Sequence, residues 1–158
     1  TWDSKWIYPV LRPVRMHDEL WIYYMGTNHD HASRLDPKAE KEETAISRAI
    51  LRLDGFVAAE ADYEGGVFMT PAMKFQGSRL ELNLNTGAGG MARVEILTES
   101  GAPIRDFTMG EADELNGNGV KLLAAWNGGN TDVTALAGQS IRLRVKMRAA
   151  KLFAFQFQ

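Results

Sequence analysis

The sequence predicts an all-β protein in which an antiparallel, jelly-roll-like β-sandwich is preceded by an N-terminal β-hairpin arm. Two patterns lead to this fold class. Short strand-like runs alternate with Gly- and Asn-rich turns at a spacing of roughly 8–12 residues, which is typical of sandwiches and jelly rolls. Within the clearest runs, apolar and polar residues alternate one by one. This indicates antiparallel strands with one face in solvent, because parallel sheets bury both faces.

The N-terminal arm is predicted over residues 1–26 as a single hairpin. Pro9 and Pro13 restrict its first half to an edge strand or an extended arm, since proline has no N–H to donate to a neighbouring strand. Residues 20–25 are predicted to form a strand rich in aromatic and β-branched side chains. An isolated hairpin is only marginally stable in water. We therefore expect the arm to fold back on the sandwich or to pair with another copy of the chain.

A polar and charged stretch, residues 27–44, is predicted to be a linker. The sandwich domain then takes residues 45–158. Its first strand is predicted over residues 45–53 and ends at the turn signal Asp54-Gly55.

Strict alternation marks the strongest strands of the sandwich, residues 79–85 and 141–148. Alternate residues of the last strand are also apolar, and each is expected to contribute roughly 1.5–3 kcal/mol by burial in the core: Phe153, Phe155 and Phe157. The second face of residues 141–148 carries a basic stripe, which is interpreted as a solvated sheet face: Arg142, Arg144, Lys146 and Arg148.

Composition excludes several classes of function. At 158 residues, with 45% hydrophobic and 24% charged residues, the chain can bury a core of ordinary globular composition. A net charge of -2 provides no electrostatic footprint for nucleic acid or an anionic membrane. The lack of cysteine excludes disulfides, thiolate zinc sites and a cysteine nucleophile. No apolar run approaches the roughly 20 residues that span a bilayer, so a soluble protein is expected. The compartment stays open, with secretion and the periplasm as candidates.

Several segments together are similar to one bacterial module. They are residues 51–56 (LRLDGF), the pairs Gly65-Gly66 and Thr70-Pro71, and residues 77–83 (GSRLELN), 92–96 (ARVEI) and 133–144 (VTALAGQSIRLR). This combination resembles the C-terminal β-sandwich that follows a five-bladed propeller in bacterial proteins related to glycoside hydrolase families 32 and 43. Residues 18–28 (DELWIYYMGTN) look like the last strands of that propeller.

The resemblance implies an ancillary, non-catalytic role. In such proteins the catalytic carboxylates belong to the propeller. Glycosidases need two carboxyl groups across the scissile bond, and a single hairpin cannot supply that cleft. The expected partners are carbohydrate, a propeller domain, or another copy of the chain bound through the N-terminal hairpin. The sequence also contains neither a Gly-x-Ser-x-Gly elbow nor a phosphate-binding loop.

The densest polar cluster includes Asn28, His29 and His31. The two histidines would lie on one face of an extended segment, because side chains two residues apart share a face. A solvated loop is one interpretation. The alternatives are carbohydrate contact by all three residues, a metal site with a third ligand such as His17 or Asp36, or a small glycoside-directed hydrolase that uses the His29 and His31 region.

Trp126 ends a predicted strand and is followed by a glycine-rich turn that contains Asn127 and Asn130. The indole is interpreted either as a core anchor under that turn or as an exposed platform that stacks on a sugar ring. In the second case the two amides would hydrogen-bond sugar hydroxyls.

The loop at residues 110–119 concentrates carboxylate and amide oxygens, which are the ligands that calcium prefers. Asp113, Glu114 and Asn116 are the candidate ligands. The loop lacks the EF-hand spacing, and a solvated acidic loop is the alternative. No other cofactor is predicted.

Overall fold

The computed structural model describes residues 1–30 and 43–158. These residues divide into two compact units, Thr1–Gly55 and Phe56–Gln158. Every strand pairing in both units is antiparallel, which confirms the predicted all-β class. Within the described residues there is no helix with the length and hydropathy that a bilayer crossing requires.

The first unit is one antiparallel sheet built around a central strand. Its strands are β1 (Trp6–Pro9), β2 (Val14–Met16), β3 (Glu19–Thr27) and β4 (Thr44–Arg52). The strands β1 and β2 both pair with the same partner, β3, and β4 pairs with β3 over its whole length. Pro13 lies in the gap between β1 and β2, where the missing N–H interrupts no ladder.

The position of β4 corrects the predicted domain boundary. Residues 45–53 were expected to open the sandwich, but Ala45 pairs with Gly26 and Arg52 with Glu19. The N-terminal element is therefore a sheet rather than a hairpin, and the second unit begins at Phe56. The physical reason is that side-chain periodicity indicates a strand without indicating its neighbour. Most of the predicted linker, residues 31–42, lies outside the described residues.

The second unit contains two packed antiparallel sheets, as expected of a β-sandwich. Its strands are β5 (Ala59–Ala61), β6 (Gly66–Met69), β7 (Met73–Lys74), β8 (Leu80–Asn85), β9 (Met91–Thr98), β10 (Asn118–Leu123), β11 (Ser140–Arg148) and β12 (Ala150–Phe157). One sheet has the order β10-β8-β12-β5. In the other, β11 is central and pairs with β9, β6 and β7.

The core of the second unit lies between these two sheets. Strictly alternating residues of both sheets are almost fully buried in it, as the sequence predicts: Leu80, Leu82, Leu84, Ile141, Leu143 and Val145. Phe155 and Phe157 are half-buried and pack against this core, and the ring centroid of Phe157 lies 3.8 Å from that of Phe75.

Phe153 departs from the predicted pattern. The pairing of β12 with β8 shifts register between Leu152 and Ala154, so the alternation breaks at this residue. A bulge adds a residue to one strand and changes the direction of the side chain. Phe153 is consequently only half-buried, outside the core cluster, and lines an apolar surface groove with Val57 and Phe68.

The basic stripe on β11 is only partly a solvated face. The Nε of Arg142 donates to the Glu99 carbonyl oxygen at 2.9 Å, and Arg144 pairs with Glu95 on β9. Lys146 is exposed. Arg144 therefore links two strands of the same sheet, and Arg142 links β11 to the turn that follows β9.

Candidate functional site

Asn28 and His29 lie directly after β3, and the hydrogen bonds of Asn28 link the end of β3 to the start of β4. The Asn28 side-chain oxygen accepts from the Glu43 N–H at 2.8 Å, and the Thr27 hydroxyl accepts from the His29 N–H at 3.1 Å. His31 lies outside the described residues. The proposed roles of Asn28, His29 and His31 in carbohydrate contact or hydrolysis therefore stay predictions.

Trp126 is a core residue, with an exposed fraction of 0%. Its indole N–H donates to the Val94 carbonyl oxygen at 2.9 Å, and Phe107 packs edge-on with 5.1 Å between ring centroids. A ring enclosed in this way presents no face to a ligand. The structure thus supports the core-anchor interpretation and overturns the sugar-stacking alternative at this residue.

The two amides after Trp126 stabilise the glycine-rich turn. Asn127 has a φ of 53°, and its side-chain NH2 donates to the Asp106 carbonyl oxygen at 3.3 Å. The Asn130 side-chain oxygen accepts from the Asp132 N–H at 3.1 Å. Both amides therefore have structural partners, and neither flanks an exposed aromatic ring at Trp126.

The three calcium candidates in the acidic loop contact different segments. Asp113 accepts the N–H groups of Gly128 and Gly129, Glu114 pairs with Arg93 at 3.6 Å, and the Asn116 amide donates to the Gly90 carbonyl oxygen at 2.6 Å. Their side chains are thus engaged with separate segments of the chain. Among the described residues, no group of three or more His, Asp or Glu side chains is arranged to hold a metal ion.

Glu111, in the same loop, closes a tight turn with its carboxylate. Oε2 accepts from the Thr108 N–H at 3.0 Å and from the Thr108 hydroxyl at 2.8 Å. These hydrogen bonds favour the charged form and lower the pKa of Glu111 below its ordinary value. A lowered pKa contributes stability above the ordinary pKa, and this contribution is lost as pH falls through the folded-state value.

We expect Thr108→Val to raise the pKa of Glu111 part of the way back, because the substitution removes the hydroxyl donor and keeps the N–H. An NMR titration of the Glu111 carboxyl carbon measures this change. Thr98→Val, which removes a threonine hydroxyl from a different turn, is the matched control and should leave the titration where it is. An unchanged Glu111 titration in Thr108→Val would contradict the assignment.

Three turns meet at one end of the second unit and form an open groove of about 530 Å³, here called the Tyr63 groove. The turns join β5 to β6, β8 to β9, and β11 to β12. The residues that line the groove are Glu60, Ala61, Asp62, Tyr63, Asn85, Thr86, Gly87, Ala88, Gly89, Gly90, Ala149, Ala150 and Lys151. The volume is within the range of small-ligand sites, roughly 300–1,000 Å³.

Among the described residues that line this groove, Tyr63 alone is aromatic, and its exposed fraction is 71%. The Arg148 guanidinium lies over the ring at 5.4 Å from its centroid. Because the side chain is largely in solvent, the rest of the ring surface is available for contact. In the sequence, a single tyrosine next to Asp62 in a turn gives little indication of a binding site. Only the topology shows that three turns surround it.

Backbone contacts hold these turns close together. The Ala149 N–H donates to the Asp62 carbonyl oxygen at 2.7 Å. At Gly90 a Cβ would lie 2.2 Å from the carbonyl oxygens of Ala149 and Thr86, so only glycine permits this approach. The groove is therefore formed by constrained backbone.

The first unit presents a different surface, a face of its sheet rich in aromatic and aliphatic side chains. Cross-strand partners and residues two apart lie on the same side of a sheet. By this rule the strand register places the following residues on one side, here called the aromatic face: Trp6, Tyr8, Val14, Trp21, Tyr23, Met25, Ile46 and Ile50. All of them except Trp21 are among the exposed large hydrophobic residues of the chain.

The other side of the same sheet is partly covered by the N-terminal residues. The Trp2 ring stacks on Tyr24 at 5.8 Å between centroids, and the Tyr24 hydroxyl donates to Asp3 at 3.1 Å. A Cβ at Gly26 would lie 2.5 Å from the Trp2 ring, so glycine makes this packing possible.

Comparisons with protein families, with curated proteins and with solved structures found no match to this chain.

Proposed function

We propose that this chain is a non-catalytic β-sandwich module of a glycoside-hydrolase-like protein, and that it acts by contacting protein or carbohydrate. The observation that carries the proposal is the aromatic face of the first unit. The proposal also rests on the resemblance of the sequence to ancillary sandwiches of glycoside hydrolase families 32 and 43.

The composition of the aromatic face is that of a protein interface. Interface centres are enriched in aromatic residues, Met and Arg. The aromatic face combines these types, since the Arg48 guanidinium lies 3.7 Å from the centroid of the Trp21 ring. Ile46 is 79% exposed and Ile50 is 51% exposed. Folded monomers rarely leave a contiguous apolar patch of this kind in water.

The partner that best fits this surface is the apolar face of another antiparallel sheet. Sheets pack face to face at about 10 Å, with the side chains of both inner faces interdigitating. The resemblance of residues 18–28 to the last strands of a propeller makes a propeller blade the specific candidate. Arg48 is paired with Tyr23 and so lies on the aromatic face, where carboxylates on the partner surface would complement its positive charge.

The non-catalytic part of the proposal is supported by the structural roles of three carboxylates in the second unit. Glycosidase carboxyl groups flank a cleft at about 5–9.5 Å from each other. Here Glu95 pairs with Arg144 in the sheet, Asp113 binds backbone N–H groups, and Glu111 closes a turn. Each of these three carboxylates therefore has a structural role.

A binding experiment with the full chain tests the protein contact. The probe is a purified five-bladed propeller of a family 32 or 43 protein from which its own sandwich has been removed. In sedimentation equilibrium we expect the wild-type chain to bind this propeller. We expect the double variant Tyr8→Thr/Met25→Thr, altered at two paired residues of the aromatic face, to bind at least about ten-fold more weakly.

Val67→Thr is the matched control, because Val67 is 64% exposed and belongs to the second unit. Hydroxyl-radical footprinting of the mixture should show protection at Trp6, Tyr8 and Met25. Two results would contradict the proposed partner. One is a wild-type chain that stays monomeric and unprotected with the propeller present, and the other is a self-associated dimer that protects the same residues.

A further inference from the structure

We infer that the Tyr63 groove binds a neutral oligosaccharide, in contact with the Tyr63 ring and the polar groups of the three turns. This inference deepens the carbohydrate-directed part of the proposed function and rests on it. It concerns a different surface from the aromatic face, and on a different unit of the chain.

The shape of the groove fits a polymer chain better than a small buried ligand. It is open to solvent and is walled by backbone turns at the end of a sandwich. A ligand longer than the groove can therefore extend into solvent and bind without unfolding a turn. Since the turns are already held by backbone contacts such as that between Ala149 and Asp62, little ordering is needed on binding.

The charge of the groove favours a neutral ligand. Its ionisable groups balance, with Glu60 and Asp62 against Lys151 and the adjacent Arg148. Glu60 and Lys151 already pair at 3.1 Å, and the Asp62 carboxylate accepts the N–H groups of Glu64 and Gly65. A cationic ligand, or an anionic ligand directed to Lys151, would compete with these contacts, whereas a neutral ligand leaves them in place.

The remaining groups suit a ligand with many hydroxyls on an apolar ring. The exposed ring of Tyr63 offers a flat apolar surface that C–H groups can cover. The side-chain oxygen of Asn85 accepts from the Gly87 N–H at 2.9 Å, which orients the amide and leaves its NH2 as a donor. Carboxylate and carbonyl oxygens nearby are acceptors. Sugars present both C–H faces and hydroxyl groups to such a site.

Calorimetric titration of the full chain tests the inference. The probes are neutral hexasaccharides of glucose, xylose, mannose, arabinose and fructose, with hexagalacturonate as the charged comparison. We expect the wild type to bind at least one neutral hexasaccharide and to bind hexagalacturonate more weakly. Tyr63→Ala should lower the affinity by about ten-fold or more, and Tyr63→Phe should retain most of it because the ring stays.

Two further variants keep the test specific. Asn85→Ala should also weaken binding, and Phe56→Ala, which removes an exposed aromatic ring of the same unit outside the groove, should not change it. Because the Tyr63 ring is largely in solvent, the thermal midpoint of Tyr63→Ala should match that of the wild type. No binding of any neutral hexasaccharide at millimolar concentration would overturn the inference. So would affinity that survives both Tyr63→Ala and Asn85→Ala, or a preference for hexagalacturonate.

The outcome is separable from that of the proposed function. Loss of sugar binding with propeller association intact would overturn only the groove. Chromatography of the bound hexasaccharide adds a second readout. Cleavage that disappears in Tyr63→Ala would support the groove as the binding site and contradict the non-catalytic part of the proposed function.

Discussion

Trp126→Ala is expected to destabilise the second unit by roughly 3–5 kcal/mol. The indole has no exposed surface, packs against Phe107 and donates a hydrogen bond to the Val94 carbonyl oxygen. Its removal leaves a cavity between the sheets and an acceptor without its donor. Since whole domains are stable by only about 5–15 kcal/mol, this change is a large fraction of the total.

Chemical denaturation followed by far-UV circular dichroism measures the effect, because this signal does not depend on the tryptophan. Trp126→Phe fills more of the space and should lose less. Val67→Ala, at an exposed position of the same unit, should change the free energy of unfolding by less than about 0.5 kcal/mol. A loss below about 1 kcal/mol in Trp126→Ala would be incompatible with the indole as the core anchor.

Arg144→Met is expected to destabilise the same unit by about 3–5 kcal/mol, since it leaves a buried carboxylate without its partner. Glu95 is only 2% exposed and lies directly opposite Arg144 in the register of β9 and β11. The Arg144 Nε donates to Glu95 Oε2 at 2.6 Å, and a second guanidinium nitrogen also contacts this oxygen. Burial of a lone charge costs far more than the net gain from the pair.

The double variant Glu95→Met/Arg144→Met should recover most of the lost stability, because it removes both charges and fills the space with apolar atoms. Lys146→Met is the matched control, as Lys146 is exposed on the same face of β11 two residues further on. Thermal and denaturant unfolding measure the stability of four proteins: the wild type, Arg144→Met, Glu95→Met/Arg144→Met and Lys146→Met. A double variant as unstable as Arg144→Met would mean that packing, and not the unpaired charge, determines the loss.

Local alternation was a good guide to which residues face the core, but it did not predict that Glu81 and Asn83, on the face of β8 expected in solvent, are also buried. The alternation in β8 and β11 correctly predicted that Leu82 and Leu143 point into the core. It failed where the result depends on pairing between distant segments. The strand at residues 44–52 has the right pattern for the sandwich but pairs with β3, and Phe153 leaves the pattern because of a bulge in its pairing with β8.

The candidate sites are even harder to predict from local pattern, because they depend on burial and on contacts between distant segments. Trp126 followed by a glycine-rich turn is compatible with a core anchor and with an exposed platform, and only burial distinguishes them. Asp113, Glu114 and Asn116 are close in sequence, yet each contacts a different distant segment. Tyr63 becomes notable only when three turns, far apart in sequence, meet at one end of the unit.

The strand order of the second unit determines how it can fold during synthesis. The last two strands, β11 and β12, each lie in the interior of a sheet and pair with strands on both sides. Until β11 and β12 have been synthesised, β8 and β10 can pair with each other, but β5, β6, β7 and β9 lack the strand that they pair with. Such non-local pairing forms late and leaves apolar segments exposed to other nascent chains. Completion of both sheets therefore requires β11 and β12, and chaperones that shield unpaired strands should increase the yield of this unit.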